Sequence, residues 1–164
     1  MRRFWRGIII LLIGGILGTG LGFALGILFF PYLFPPPPAA EQLTEADRSV
    51  LVASGSFIHA DPSDPVHYGS GKVSIYEKAA FLEPDFKVGP GPKYHLYLVP
   101  KANVRSSDDV KGTMYVDLGQ LRAFLGSQRF PIPAGVDLKN FESAVIWCEA
   151  FGVLISPADL KPAL

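Results

Sequence analysis

The stretch Ser143-Ala144-Val145-Ile146-Trp147-Cys148-Glu149, followed at once by Phe151-Gly152-Val153-Leu154-Ile155, decides how this chain is read. Two runs of β-branched and aromatic residues separated by a short break at 150–152 predict a β-hairpin, or one strand interrupted by a bulge. Alternation sends Ala144, Ile146 and Cys148 to one face and Val145 and Trp147 to the other. Both sets are apolar, so the strand is expected to be central, with both faces covered. It also carries the only cysteine of the chain and one of its two tryptophans.

Upstream the pattern stays β. Val50-Leu51-Val52 leads to Gly55-Ser56-Phe57-Ile58-His59, and then come 71–77, 80–82, 86–88, the clear alternator Tyr94-His95-Leu96-Tyr97-Leu98-Val99, 114–117 and 128–132. With the hairpin these make about eight short runs. Turn residues crowd the gaps, as in Asp61-Pro62, Asp64-Pro65, Gly69-Ser70-Gly71, Gly89-Pro90-Gly91-Pro92 and Pro133-Ala134-Gly135. Short strands so punctuated predict an all-β domain over 49–164, an antiparallel β-sandwich or small barrel. A single helical turn is expected at Asp117-Leu118-Gly119-Gln120-Leu121-Arg122.

The start of the chain is of another kind. Gly7 to Phe30 contains no charged residue. As a helix, 24 positions at ~1.5 Å each reach about 36 Å, enough for a hydrocarbon core of ~30 Å. A cleaved signal peptide shares this basic-then-apolar order. The run is longer than a signal's ~7 to 15 apolar residues, though, and it is followed by Pro35-Pro36-Pro37-Pro38 with no small residue three positions before a cut at Ala39 or Ala40. A retained transmembrane helix over 7–30 is therefore expected, with a basic segment at 1–6 before it. Pro31 and the four later prolines should end the helix and open a semi-rigid spacer over 31–48.

Charge gives the expected orientation. The chain has 15 basic and 15 acidic residues; without Arg2, Arg3 and Arg6 the remainder holds 12 basic against 15 acidic, a net charge of −3. The arginines should stay cytoplasmic and the domain extracytoplasmic. A mildly acidic domain with no basic stripe argues against nucleic acid as a partner. Within the helix, Gly14, Gly18, Gly22 and Gly26 recur every fourth residue as overlapping GxxxG motifs. Such a stripe lets two helices approach closely in the lipid bilayer and predicts a homodimer.

Chemistry is sparse. One cysteine forms no internal disulfide, so in an oxidising compartment Cys148 is buried, paired with another chain, or used. His59, His67 and His95 form no close-spaced zinc motif with each other or with Cys148. His67 and His95, with Cys148 and Met114, are of the types that ligate haem or copper, so a non-covalent haem or a copper ion is a candidate cofactor. The chain has no C-x-x-C-H, G-x-S-x-G, H-E-x-x-H or P-loop signature. A stand-alone enzyme is not expected.

Four blocks read together resemble a known family. They are Gly55-Ser56-Phe57 with Asp64-Pro65-Val66-His67-Tyr68-Gly69-Ser70-Gly71; Phe86-Lys87-Val88 through Gly91-Pro92-Lys93-Tyr94-His95-Leu96-Tyr97-Leu98; Asp117-Leu118-Gly119-Gln120-Leu121; and Phe130-Pro131-Ile132-Pro133 leading to Val145-Ile146-Trp147-Cys148-Glu149-Ala150-Phe151-Gly152-Val153. In that order they resemble the DM13 domain, over about 54–160. The resemblance implies a β-rich module of membrane-anchored or secreted proteins, with electron transfer through a thiol matched by Cys148 or through a bound group such as haem. Lys93 stands where the family usually has an acid, and Ser127-Gln128-Arg129-Phe130 replaces a typical Asn-Gln-Asn-Tyr. The expected function is a redox or electron-transfer accessory module centred on Cys148, with His67 and His95 as companions and a redox or protein partner. The rival is an adhesion or scaffold module in which Cys148 is core packing.

Overall fold

The computed structural model describes residues 1–48 and 50–163; Ser49 and Leu164, the expected first and last residues of the domain, lie outside the described residues. The chain divides into two units, an N-terminal helix and a β domain that begins after Phe34.

The helix α1 spans Arg2–Leu33. Among the described residues it is the one helix long and apolar enough to cross a membrane. It runs on through Pro31 rather than ending there. A proline this close to the C-terminus removes one backbone donor, while the Phe34 N–H still closes on the Phe30 carbonyl at 2.9 Å. The turn therefore survives, and the following prolines stop it.

The β domain contains, in chain order, β1 (Ala39–Ala40), β2 (Leu51–Ser56), β3 (Gly69–Ser70), β4 (Lys72–Tyr76), β5 (Ala79–Leu82), β6 (Lys87–Val88), β7 (Tyr94–Val99), β8 (Val116–Gln120), β9 (Gly126–Pro131), β10 (Ser143–Cys148), β11 (Val153–Asp159) and β12 (Lys161–Pro162). One sheet has the order β1-β9-β5-β4-β2-β12 and the other β11-β10-β7-β8, with β3-β6 as a small ribbon. All pairs are antiparallel except β1 with β9. Neither large sheet closes on itself, so the barrel alternative is removed.

The two large sheets share one core. Val73, Ile75, Leu82 and Phe130 from the first pack in the same cluster as Leu96, Leu98, Ile146, Cys148 and Ile155 from the second. Burial of such side chains contributes about 1.5–3 kcal/mol each. A second cluster covers the opposite face of the four-stranded sheet, where Val104 and Val110 of the β7–β8 connection lie on Tyr97, Val99, Val145, Trp147 and Leu154. That connection is pinned by Asp109, which accepts from the Arg105 and Ser106 amides and pairs with Lys101 at 2.6 Å. β10 is thus central and covered on both faces, as its alternation predicts.

The expected helical turn at 117–122 is not formed, and 117–120 belong to strand β8 instead. Local propensity allowed a turn there, but β8 pairs with β7 from Val116 to Gln120, with a bulge opposite Leu96 and Tyr97. Gly119 takes φ +119 there, a conformation open to glycine, and the Asp117 carboxylate accepts from its amide at 2.8 Å. Ladder bonds to a buried strand outweigh a local preference.

Residues 39–48 are fastened to the sheet. Ala39–Ala40 pairs with Gly126–Ser127, Glu41 forms a two-pronged ion pair with Arg122, and the buried Asp47 does the same with Arg129 at 2.6 and 2.7 Å.

Candidate functional site

β7 and β10 run side by side, and their register sorts the candidate residues by face. Cys148 lies opposite Tyr94, and Trp147 opposite His95. Successive side chains on a strand point to opposite faces. Cys148 consequently enters the shared core between the sheets, while His95 stands on the outer face with Tyr97 and Trp147.

Cys148 is 1% exposed. Its thiol donates to the Pro92 carbonyl at 3.2 Å, and burial raises its pKa against a smaller opposing effect of the Phe151 and Ala150 amides. A thiol held neutral and out of water is a poor nucleophile and a poor metal ligand. His67 is elsewhere, in the loop before β3. Its Nδ1 meets Asp64 Oδ2 at 2.6 Å, and this hydrogen bond is the main reason the Asp64 carboxyl sits near a pKa of about 2. It borders a shallow cleft shared with Ala60, Arg105 and Leu154.

His95 belongs to a denser arrangement. Its Nδ1 lies 3.0–3.1 Å from both Asp117 carboxylate oxygens. Its Nε2 is buried without a hydrogen-bond partner and lies 3.5 Å from Glu149 Oε2. Glu149 opens the β10–β11 turn. It accepts from the Tyr97 hydroxyl at 2.9 Å and pairs with Lys93 Nζ at 2.8 Å. Lys93, at φ +52, holds a left-handed backbone conformation uncommon for a residue with a side chain. Its ammonium, more than any other neighbour, keeps the Glu149 carboxyl below its ordinary pKa.

Three aromatic rings adjoin this cluster. Tyr97 stacks on Tyr115 with centroids 4.4 Å apart and planes 6° from parallel, and on Trp147 at 6.3 Å and 24°. Tyr97 is 2% exposed, whereas Tyr115 is 44% exposed. Burial first, then the Glu149 hydrogen bond, pushes the Tyr97 phenol strongly upward, so it stays protonated throughout the physiological range.

The cofactor expectation does not fit this layout. Cys148 and His95 point to opposite faces of one sheet and cannot share an ion, and His67 has its own carboxylate partner. Among the described residues His95, Asp117 and Glu149 form the one group of three or more His, Cys, Asp or Glu whose ligand atoms lie within 4.8 Å of one another. That nitrogen-and-oxygen set suits a hard or borderline divalent ion rather than haem or a thiolate copper centre, and the Lys93 ammonium already neutralises Glu149.

Of this cluster the sequence reading singled out His95 alone. The alternation of β7 puts His95 and Tyr97 on one face, which was the available signal. Asp117 was masked by the expected helical turn. The link from Glu149 to Tyr97 depends on a 52-residue separation that no local pattern discloses.

Comparison with known proteins agrees with the blocks quoted above. A family model described as electron transfer DM13 matches residues 62–160. No curated protein and no solved structure matches. The matched segment is more than half of the chain and carries the cysteine hairpin, both large-sheet centres and every member of the His95–Tyr97 cluster, and the chain belongs to the DM13 family.

Proposed function

We propose that this chain is a single-pass membrane protein whose DM13 domain serves as an extracytoplasmic electron-transfer accessory module. The observation that carries the reading is the Tyr115–Tyr97–Trp147 stack, which runs from an exposed ring to buried ones beside a carboxylate that accepts the Tyr97 hydrogen bond. The family description supplies the reaction class. Arg2, Arg3 and Arg6 before the apolar helix support a cytoplasmic N-terminus and an exterior domain. Cys148 serves as packing in this reading.

The helix also supports self-association. Gly14, Gly18, Gly22 and Gly26 recur every fourth residue, the spacing that lets two helix backbones approach closely in lipid. Replacing Gly18 and Gly22 by Ile should abolish the homodimer in a membrane association assay; an unchanged oligomer counts against it.

A non-catalytic adhesion or scaffold module is the second reading, favoured by the near-complete burial of the lone thiol. One experiment separates the two. The full chain, purified in detergent from its native host, is examined by visible spectroscopy before and after dithionite and by voltammetry on an electrode. Reversible electron exchange supports the electron-transfer reading. An electron-silent, colourless protein across the accessible potential range overturns it and leaves the scaffold.

A further inference from the structure

We propose that Tyr97 is a proton-coupled redox relay, releasing an electron through Tyr115 and its phenolic proton to Glu149. The inference rests on the electron-transfer reading above and names the group that would carry it.

The geometry meets each requirement separately. A buried phenol loses an electron readily only where its proton has somewhere to go, because the cationic radical is a strong acid in a medium that solvates charge poorly. Glu149 Oε1 is 2.9 Å from the hydroxyl, in the range for direct transfer. The electron needs a short path to the surface, and Tyr115 supplies one at 4.4 Å between ring centroids while being itself 44% exposed. Trp147 on the other side extends the stack into the second core cluster.

The step balances. A one-electron oxidant docked at Tyr115 takes one electron; the Tyr97 O–H bond breaks; the proton bonds to Glu149. The products are a neutral phenoxyl, a neutral carboxylic acid and the reduced acceptor. A one-electron donor reverses both transfers. The buried Nε2 of His95 lies 3.5 Å from the other Glu149 oxygen, and Asp117 steadies the ring from Nδ1. Lys93 opposes the step, because its ammonium stabilises the ionised carboxylate at 2.8 Å and weakens it as a base.

The test is photo-oxidation of the full chain in detergent micelles by photogenerated ruthenium(III) tris-bipyridine, read by transient absorption and freeze-quench electron paramagnetic resonance. Wild type should form one ordered tyrosyl radical with a rate that falls in D2O. Tyr97→Phe, which keeps the stacked ring, should lose that signal. Glu149→Gln should slow its formation about a hundredfold or more, the lower end of what a positioned base contributes. Lys93→Gln, at an exposed side chain that does not threaten folding, should accelerate it. An equal radical yield in Tyr97→Phe overturns the proposal, as does an unchanged rate in both Glu149→Gln and Lys93→Gln. Electron exchange at the electrode without a Tyr97 radical overturns the relay and leaves the electron-transfer reading standing.

Discussion

The burial of Cys148 implies strong protection of its thiol, and the size of that protection can be worked out. Sγ lies on the core face of β10, and its cross-strand neighbours are Tyr94 on β7 and Val153 on β11. A reagent reaches it only if those two side chains and the adjoining ladder separate. Exposing the two apolar groups costs about 1.5–3 kcal/mol each, and two ladder bonds add about 1 kcal/mol apiece. The opening free energy is then about 5–8 kcal/mol. At 1.36 kcal/mol per decade this slows alkylation roughly 10³–10⁶-fold relative to an unfolded cysteine, and the raised thiol pKa slows it further. Labelling the full chain with N-ethylmaleimide, quenched at intervals and read by intact mass, measures this. The adduct should appear within minutes in guanidinium and be absent on the same timescale without it. Native labelling within tenfold of the denatured rate would refute the reasoning, since it would mean that solvent reaches Sγ without opening the sheet. Cys148→Ser should cost about 1–3 kcal/mol by placing a hydroxyl in apolar surroundings, and electron exchange per folded molecule should be unchanged.

Two further outcomes follow from particular contacts. Gly126 takes φ +86 and a Cβ there would strike the Ala39 carbonyl, so Gly126→Ala should destabilise by about 2 kcal/mol or more. Gly135→Ala, at φ +87 with open space around it, should cost only about 1 kcal/mol, and parallel thermal melts would show the difference. In acid, Asp64 and Glu149 both have folded pKa values below their ordinary ones, so the stability they contribute is present above those ordinary values of 3.8 and 4.5 and is lost as pH falls through the folded ones. For Asp64 the loss should extend down to about pH 2, and urea midpoints measured from pH 6 to 2 should fall less steeply in His67→Ala, which lacks the hydrogen bond responsible.

Much of the fold was legible because burial leaves a period in the sequence. Ala144, Ile146 and Cys148 alternate with Val145 and Trp147, and the central position of β10 follows from both sets being apolar. The long uncharged run at the start reads directly as a helix of membrane-crossing length. Asp117–Gln120 was misread because its strand state comes from partners 20 to 25 residues away, and Asp and Gly favour turns when considered alone. The fastening of Glu41 and Asp47 to Arg122 and Arg129 escaped for the same reason, since it joins residues about 80 apart. The candidate site was least legible of all. His95 was visible as a ligand type, but Tyr97, Asp117 and Glu149 acquire their meaning from a face shared by β7, β8 and the end of β10.

The composition of that face exceeds what packing requires. Tyr97 needs one acceptor for its hydroxyl once buried, and a glutamine at 149 would supply it without a charge. The chain has a glutamate instead, partly removed from water and offset by a lysine in a left-handed backbone conformation. Desolvating a carboxylate costs free energy, and so does holding Lys93 at φ +52. His95 adds a buried nitrogen with no hydrogen-bond partner, a further cost that a leucine at the same position would avoid. These costs converge on one phenol, and they place beside it a hydrogen-bond acceptor, that acceptor's counter-charge and an imidazole. The inner face of the same strands carries apolar groups, the Tyr94 hydroxyl bonded to the Pro90 carbonyl, and the Cys148 thiol. The division of β7 and β10 into a packing face and a charged aromatic face is the feature on which the proposed relay rests.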